Sequence, residues 1–402
     1  MERLPLFERK FVKKVAEQRL EAVAQAIKNQ VEHEPEPGFM TGLAGQALFL
    51  YVYARSSGDS RYENLGFLAL ERALGKINDG FSWPSFAAGL AGIRFTLRYL
   101  ASCGYISTSD GSALDDLDPC LDEFAGQRFR SGDYDFLHGA LGMYVPDHHS
   151  LLTDDRSLAP PEAHPLTANL RRLAVTPAPG YLAWPSRHPQ TNTPEINLGL
   201  AHGMPSVLLA LSRQTGDPDA VAMVSQGVDY LLSCRLENSA NGSIFPHRMV
   251  NGKPDQPGRL AWCYGDPGVG AALWQTGMNC NRPDWQADAI GILHKAATRK
   301  RMGANRLADA CICHGTAGLA LIFYKMAILS GHEEFYEAAA HWTRATLDHG
   351  QKNTGAAGYL FLTTGDRYIS NYSMLEGITG VGLTLLALLD AETLGWEQGL
   401  LL

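Results

Sequence analysis

No stretch of this chain approaches the roughly eighteen apolar residues in a row that a membrane-spanning helix needs. The most apolar run, "GLAGQALFLYVYA", stops at Arg55. Positive charge is also scarce. Against 42 Asp and Glu stand 34 Lys and Arg, a formal net charge of −8, and phosphate binding needs a basic face. That argues against nucleic acid as the main partner and leaves neutral or cationic ligands. Cysteine is sparse, odd in number and scattered, at Cys103, Cys120, Cys234, Cys263, Cys280, Cys311 and Cys313. The opening "MERLPLFERKFVKKVAEQRLEAVAQAI" is charged and helix-periodic, without the apolar stretch and small-residue cleavage site of a secretory signal. The expected setting is a reducing cytosol, with thiols or metal ligands in place of disulfides.

Glycine, by contrast, is plentiful, and it recurs in register. A Gly-x-x-Gly step followed by an apolar run starts at Gly42, Gly89, Gly139, Gly203, Gly265, Gly315 and Gly377. Only the fourth copy, "GMPSVLLAL", departs from it, with Ser206 in place of the second glycine. Successive starts lie 47 to 64 residues apart, room for two helices and their loops. Amphipathic stretches such as "DWQADAIGILHKAATRK" and "EEFYEAAAHWTRATLDHG" precede most copies, and the runs after the glycines are apolar on nearly every face. Each unit therefore reads as an outer amphipathic helix, a loop, a glycine step and a buried inner helix. An open solenoid needs polar capping repeats, and the first and last inner helices here are as apolar as the others. The expected fold is all-α, a seven-fold α/α toroid of helical hairpins, forming one domain over residues 1–402 with the glycine steps at one mouth. Residues 146–196, rich in Pro and His, break the pattern and read as an inserted subdomain, either an irregular loop or a small strand-containing piece. "GSIFPHRMVNGKPDQPGRLAW" carries an Asn251-Gly252 turn and reads as a β-hairpin.

If the steps share one mouth, the residues just before them converge. They are polar for positions capping buried helices: Asp135 and His138; His202; Arg259, Cys263 and Tyr264; Cys313 and His314; Glu376. A lone Cys in a helical protein is most often a small buried hydrophobe. Two Cys and one His at equivalent points of different repeats are another matter. Cys263, Cys313 and His314 supply three ligands for a tetrahedral zinc with its fourth position open, the arrangement of catalytic sites. Cys311 is the rival ligand, and with it a closed three-Cys, one-His structural site. Cys313 shares its offset from the glycine with Cys263, which favours Cys313. A zinc bearing two thiolates is a weak Lewis acid but holds an incoming thiol as thiolate near neutral pH. That suits sulfur attack on an activated alkene, which leaves an enolate needing a donor at oxygen and an acid at carbon. Arg259, Tyr264, His202 and Asp135 are residue types for those tasks.

In "AHG" at 201–203, "WCYG" at 262–265, "CHG" at 313–315 and the seven steps, the chain resembles the lanthionine synthetase C (LanC) family, the cyclases of class I lanthipeptide biosynthesis. The resemblance spans almost the whole chain. It implies addition of a peptide Cys thiol to dehydroalanine or dehydrobutyrine, closing a (methyl)lanthionine ring. It also implies one zinc per chain on Cys263, Cys313 and His314, with His202 as acid or base, Asp135 working with it, and Arg259 and Tyr264 in the active site. The implied partners are a dehydrated precursor peptide with its leader, a separate dehydratase and an exporter complex, with peripheral association to a membrane-bound assembly. Ser206 puts the reach of His202 in question. Three other classes compete. A dehydrogenase with the same ligands needs a dinucleotide fold, which "GDPGVGAAL" does not supply. A prenyltransferase needs a basic diphosphate pocket. A LanC-like glutathione-binding, glutathione-transferring or non-catalytic peptide-binding protein keeps the same ligands, so the metal cannot tell it apart.

Overall fold

Every Gly-x-x-Gly step falls where a loop turns into a helix. The computed structural model describes residues 10–144, 165–187, 193–351 and 354–402. In it Gly42, Gly89, Gly203, Gly265, Gly315 and Gly377 each sit immediately before a helix. Gly89, Gly203, Gly315 and Gly377 are in extended backbone that any residue adopts, so torsion does not call for glycine there. Crowding does. A Cβ on Gly42, Gly89, Gly203, Gly265 or Gly377 would collide with the carbonyl oxygen six residues earlier. The second glycines, Gly45, Gly92, Gly268, Gly318 and Gly380, meet the same obstacle at the same interval. The preceding loop is thus folded tightly under the helix start. Its closure is a bond from the first helical amide to the carbonyl seven residues back: Leu43 to Glu36 at 2.8 Å, Leu90 to Trp83 at 2.8 Å, Thr316 to Asp309 at 3.1 Å and Ile378 to Asn371 at 2.9 Å. Residues at equal offsets from their glycines therefore occupy equivalent points of a repeated loop.

The glycine rule yields a stability prediction. Gly318→Ala places a methyl against the Ile312 carbonyl and must displace the loop that carries Cys313 and His314. We expect a loss of about 1–3 kcal/mol, the usual cost of overpacking, measured as a lower denaturation midpoint at unchanged slope.

The helices gather into two units. The first, Met1–Leu117 with Leu307–Glu397, holds the inner helices Leu43–Ser57, Leu90–Ser102, Thr316–Ser330 and Ile378–Leu389. These are buried nearly all round; Leu319, Ala320, Leu321 and Phe323 are fully enclosed. The outer helices Ser60–Asn78 and Glu333–His349 bury one stripe only, Phe335, Ala338, Ala339, Trp342 and Thr346 in the latter. Gly58 and Gly331, at φ 71° and 74°, end two of the inner helices in the left-handed conformation that glycine tolerates.

The second unit, Asp118–Arg306 with Gln398–Leu402, pairs the inner helices Met204–Ser212 and Asp266–Asn279 with outer helices Pro218–Ser233 and Pro283–Ala297. Asp217 caps Pro218–Ser233 by accepting from the Asp219 amide at 3.0 Å, with proline in its first turn. Ser206 turns its hydroxyl back onto the Gly203 carbonyl at 2.8 Å, and Gly203 still sits at the helix start. The third step differs from expectation: after Gly139 the described chain forms a short 3₁₀ helix, Ala140–Tyr144, rather than an α-helix.

Of the expected insert at 146–196, residues 146–164 and 188–192 lie outside the described residues. The rest contributes the helix Pro165–Leu173 and the strands Pro185–Arg187 and Pro194–Asn197. These strands continue into the expected hairpin, Arg248–Val250 and Lys253–Pro254, as one four-stranded antiparallel sheet in chain order. Val250 faces Lys253 across Asn251-Gly252, whose φ angles of 51° and 73° are those of a type I′ turn. Two segments that looked unrelated in sequence are one structure.

Candidate active site

Two loops of the second unit bring an acid and a base together. Tyr134 is fully enclosed and its hydroxyl donates to the Trp184 carbonyl at 2.7 Å, which anchors the residue that follows it. That residue, Asp135, accepts the His138 amide through Oδ1 at 2.8 Å and meets His202 Nδ1 through Oδ2 at 2.5 Å. Burial pushes the Asp135 carboxyl up, but the His202 contact outweighs it and leaves the group below the usual carboxylate range. Burial likewise disfavours a charged His202, and Asp135, with a smaller contribution from Cys263, lifts the imidazole above its ordinary value. With Nδ1 committed, Nε2 is the ring atom left for chemistry. Asp135 and His202 lie in the wall of a cavity of about 550 Å³, which Asp133, Pro185, Ser186 and Arg187 also line.

Cys263 and Tyr264 stand close to that pair, and Arg259 lies earlier on the same loop. Trp262, enclosed, donates its indole N–H to the Leu400 carbonyl at 2.8 Å and so fixes the start of the Cys263–Tyr264 segment. The Ala201 amide donates to the Cys263 carbonyl at 3.4 Å, which joins this loop to the one carrying His202. The Tyr264 ring stacks on His202 with centroids 5.5 Å apart. Burial pushes its phenol up to about 12, so it stays protonated at neutral pH. Arg259 is half-buried, and its Nε finds no hydrogen-bond acceptor among the described residues. His247 accepts the Arg259 amide at Nε2, 3.1 Å away; burial and the nearby arginines, Arg259 foremost, hold its ring down to about 4, hence neutral.

In the first unit, Cys313 and His314 cap their step from a braced loop. Asp309 accepts the Cys311 amide through one carboxylate oxygen and the Leu362 amide through the other, both at 3.0 Å. The Cys313 amide donates to the Leu375 carbonyl at 3.1 Å. Cys311, the rival ligand, is enclosed, and its sulfur accepts the His314 amide at 3.4 Å. Asp309, Cys311 and His314 do bring their ligand atoms within 4.8 Å of one another. Yet both Asp309 oxygens and the Cys311 sulfur already accept backbone amides, those of Cys311, Leu362 and His314, and burial pushes the Cys311 thiol well up. None of the seven cysteines is disulfide-bonded.

A family model described as lanthionine synthetase C-like protein matches residues 35–401. The chain belongs to that family. The solved structure of nisin cyclase aligns over 98% of this chain and 98% of its own, with a TM-score of 0.74 at 20% sequence identity. At that identity the likeness is one of fold, and it bears out the α/α toroid expected from the repeats. Unsaturated glucuronyl hydrolases from Bacillus sp. GL1 and Streptococcus agalactiae align at TM-scores of 0.49 and 0.46, with 14% and 12% identity, over 95% and 96% of this chain and 98% and 94% of theirs.

The second unit of this LanC-like chain also contains a support that sequence reading missed. The residue after each first glycine is Leu43, Leu90, Ala140, Met204, Thr316 or Ile378, but in one copy it is Asp266. That single charged residue was the available signal. Asp266 is enclosed, pairs with Arg299 Nη1 at 2.7 Å and accepts the amides of Ile244 at 3.0 Å and Phe245 at 3.1 Å. Arg299 reaches on to Asn305 Oδ1 at 3.0 Å and the Gly258 carbonyl at 3.2 Å. The pair thereby ties the hairpin and the loop before Arg259 to the inner helix. Asp266→Asn keeps the shape and removes the charge, so we expect about 1.5–3 kcal/mol of stability to go, read by denaturant unfolding.

Proposed function

We propose that this LanC-like protein is a zinc-dependent lanthipeptide cyclase that joins peptide Cys thiols to dehydroalanine and dehydrobutyrine, forming (methyl)lanthionine rings. The observation that carries the reading is the Asp135–His202 pair at 2.5 Å, which leaves the Nε2 of a supported imidazole for proton transfer. Cys263, Cys313 and His314 would hold the metal. Two buried thiols and an imidazole, at corresponding points of repeated loops, are a donor set zinc accepts, and Cys313 and His314 sit on a loop braced from both sides. When bound, zinc supplies a means of keeping an incoming thiol deprotonated near neutral pH.

The remaining work falls to the chain's own groups. Addition forms the sulfur–carbon bond at Cβ of the dehydro residue and sends the π electrons toward the amide oxygen. Arg259, positively charged, and the protonated Tyr264 hydroxyl are suited to stabilise charge at that oxygen. His202 delivers a proton from Nε2 to Cα, and Asp135 holds the imidazolium that makes delivery possible. The proton lost by the thiol balances the one gained at carbon. A dehydrated precursor peptide is then the substrate and a separate dehydratase its source.

The test is incubation with a dehydrated, Cys-containing peptide, followed by alkylation and mass measurement of the thiols that remain. Loss of alkylatable thiols without change in peptide mass supports cyclisation. Unchanged thiols, with zinc bound, move the protein to the non-catalytic or glutathione-handling reading.

A further inference from the structure

Asn197 is not among the residues that the motifs single out, yet its side chain decides which way the Tyr264 hydroxyl faces. Its amide orientation is fixed by a neighbour of known polarity: the Gly199 N–H can only donate, and it meets Asn197 Oδ1 at 2.9 Å. The other end of the amide, Nδ2, is therefore the donor that lies 3.2 Å from the Tyr264 hydroxyl. The hydroxyl oxygen accepts from Asn197, and its own proton meets no acceptor among the described residues. Gly199 contributes a second constraint, since a Cβ there would strike the Tyr264 ring and the Cys263 carbonyl. The tyrosine thus packs where a side chain is missing and is held at its tip by an amide of set polarity.

We propose that Asn197 is a positioning residue that presets Tyr264 as a hydrogen-bond donor toward the oxygen of the bound dehydro residue. This rests on the cyclase reading and adds to it the direction of one hydrogen bond. Were the tyrosine to donate its proton to a protein acceptor, it would offer the developing oxyanion only a lone pair.

Asn197→Asp reverses the polarity while keeping the shape. The carboxylate still accepts the Gly199 amide, but it now also accepts a hydrogen bond from the Tyr264 hydroxyl. Asn197→Ala removes both contacts and leaves the hydroxyl to turn as it likes. Initial rates of thiol loss on a dehydrated peptide, with zinc content measured for each protein, should rank wild type above Asn197→Ala above Asn197→Asp. Asn197→Asp should fall about 10²-fold in kcat, the lower end for one lost oxyanion donor. It should match Tyr264→Phe, and the double variant should be no slower than either single one. A purely structural Asn197 gives the reverse order, with the isosteric Asp milder than Ala, and that outcome overturns the proposal. So does a further drop on adding Asn197→Asp to Tyr264→Phe, because the new charge would then act by itself. If Asn197→Asp does not fold, Asn197→Ala as slow as Tyr264→Phe overturns it and an intermediate rate supports it. A wild-type protein that consumes no thiols removes the cyclase reading, and this inference with it.

Discussion

Cys263→Ala will purify with almost no zinc, and it will leave every thiol of a dehydrated peptide open to alkylation. Catalytic zinc is held by three protein ligands, so losing one leaves only the adjacent pair Cys313 and His314. Changes one layer further out already cost about 10–100-fold in metal affinity, and removal of a thiolate ligand exceeds that. Wild-type protein should carry about one zinc per chain by elemental analysis. Cys311→Ala is the informative control. Its sulfur accepts the His314 amide from inside the loop, so this variant should keep its zinc and lose only some stability. Zinc lost by Cys311→Ala would add Cys311 to the ligand set, and zinc retained by Cys263→Ala would remove Cys263 from it.

His202→Ala should retain zinc and yet slow ring closure by about 10²–10⁴-fold, the usual size of a lost acid–base group. The effect belongs in kcat if, as proposed, the ring moves a proton rather than binding the peptide. Asp135→Asn should act in the same direction, since the carboxylate is what lifts His202 toward its charged form. Residues that work as one unit are not additive. The double variant should therefore be no slower than His202→Ala. If the two defects multiply, Asp135 has a role apart from His202. Full activity in His202→Ala would hand the proton transfer to another group.

How much of this was visible in the sequence depends on whether the cause is periodic. The glycine steps repeat, and in most of the seven the first glycine answers one local obstacle, the carbonyl six residues earlier. Helix starts and inner helices were therefore legible, as was the Asn251-Gly252 turn, which depends on two adjacent residues. Asp135, His202, Arg259 and Tyr264 were legible by their offsets from those glycines, and the structure brings Asp135, His202 and Tyr264 together. The third step misled, because "GALGMYV" keeps the glycines while the chain after it tightens into 3₁₀. The sheet was hidden since its strands are two to four residues long and its pairing joins Ile196 to Met249 across an intervening helical pair. Asn197, His247 and Arg299 act on groups distant in the sequence, and no spacing rule points to them; Asp266 alone gave a signal, as the one charged residue directly after a first glycine.

The wrapped loop ahead of each inner helix has a consequence for redesign. Two carbonyls at a set interval gauge its length, so adding or deleting one residue there would put an oxygen where no glycine waits to receive it. Side-chain identity one or two places ahead of the glycine is under no such restraint. Chemistry can thus be rewritten by substitution at the corresponding stations of these loops, while the count of residues leading up to each must stay as it is.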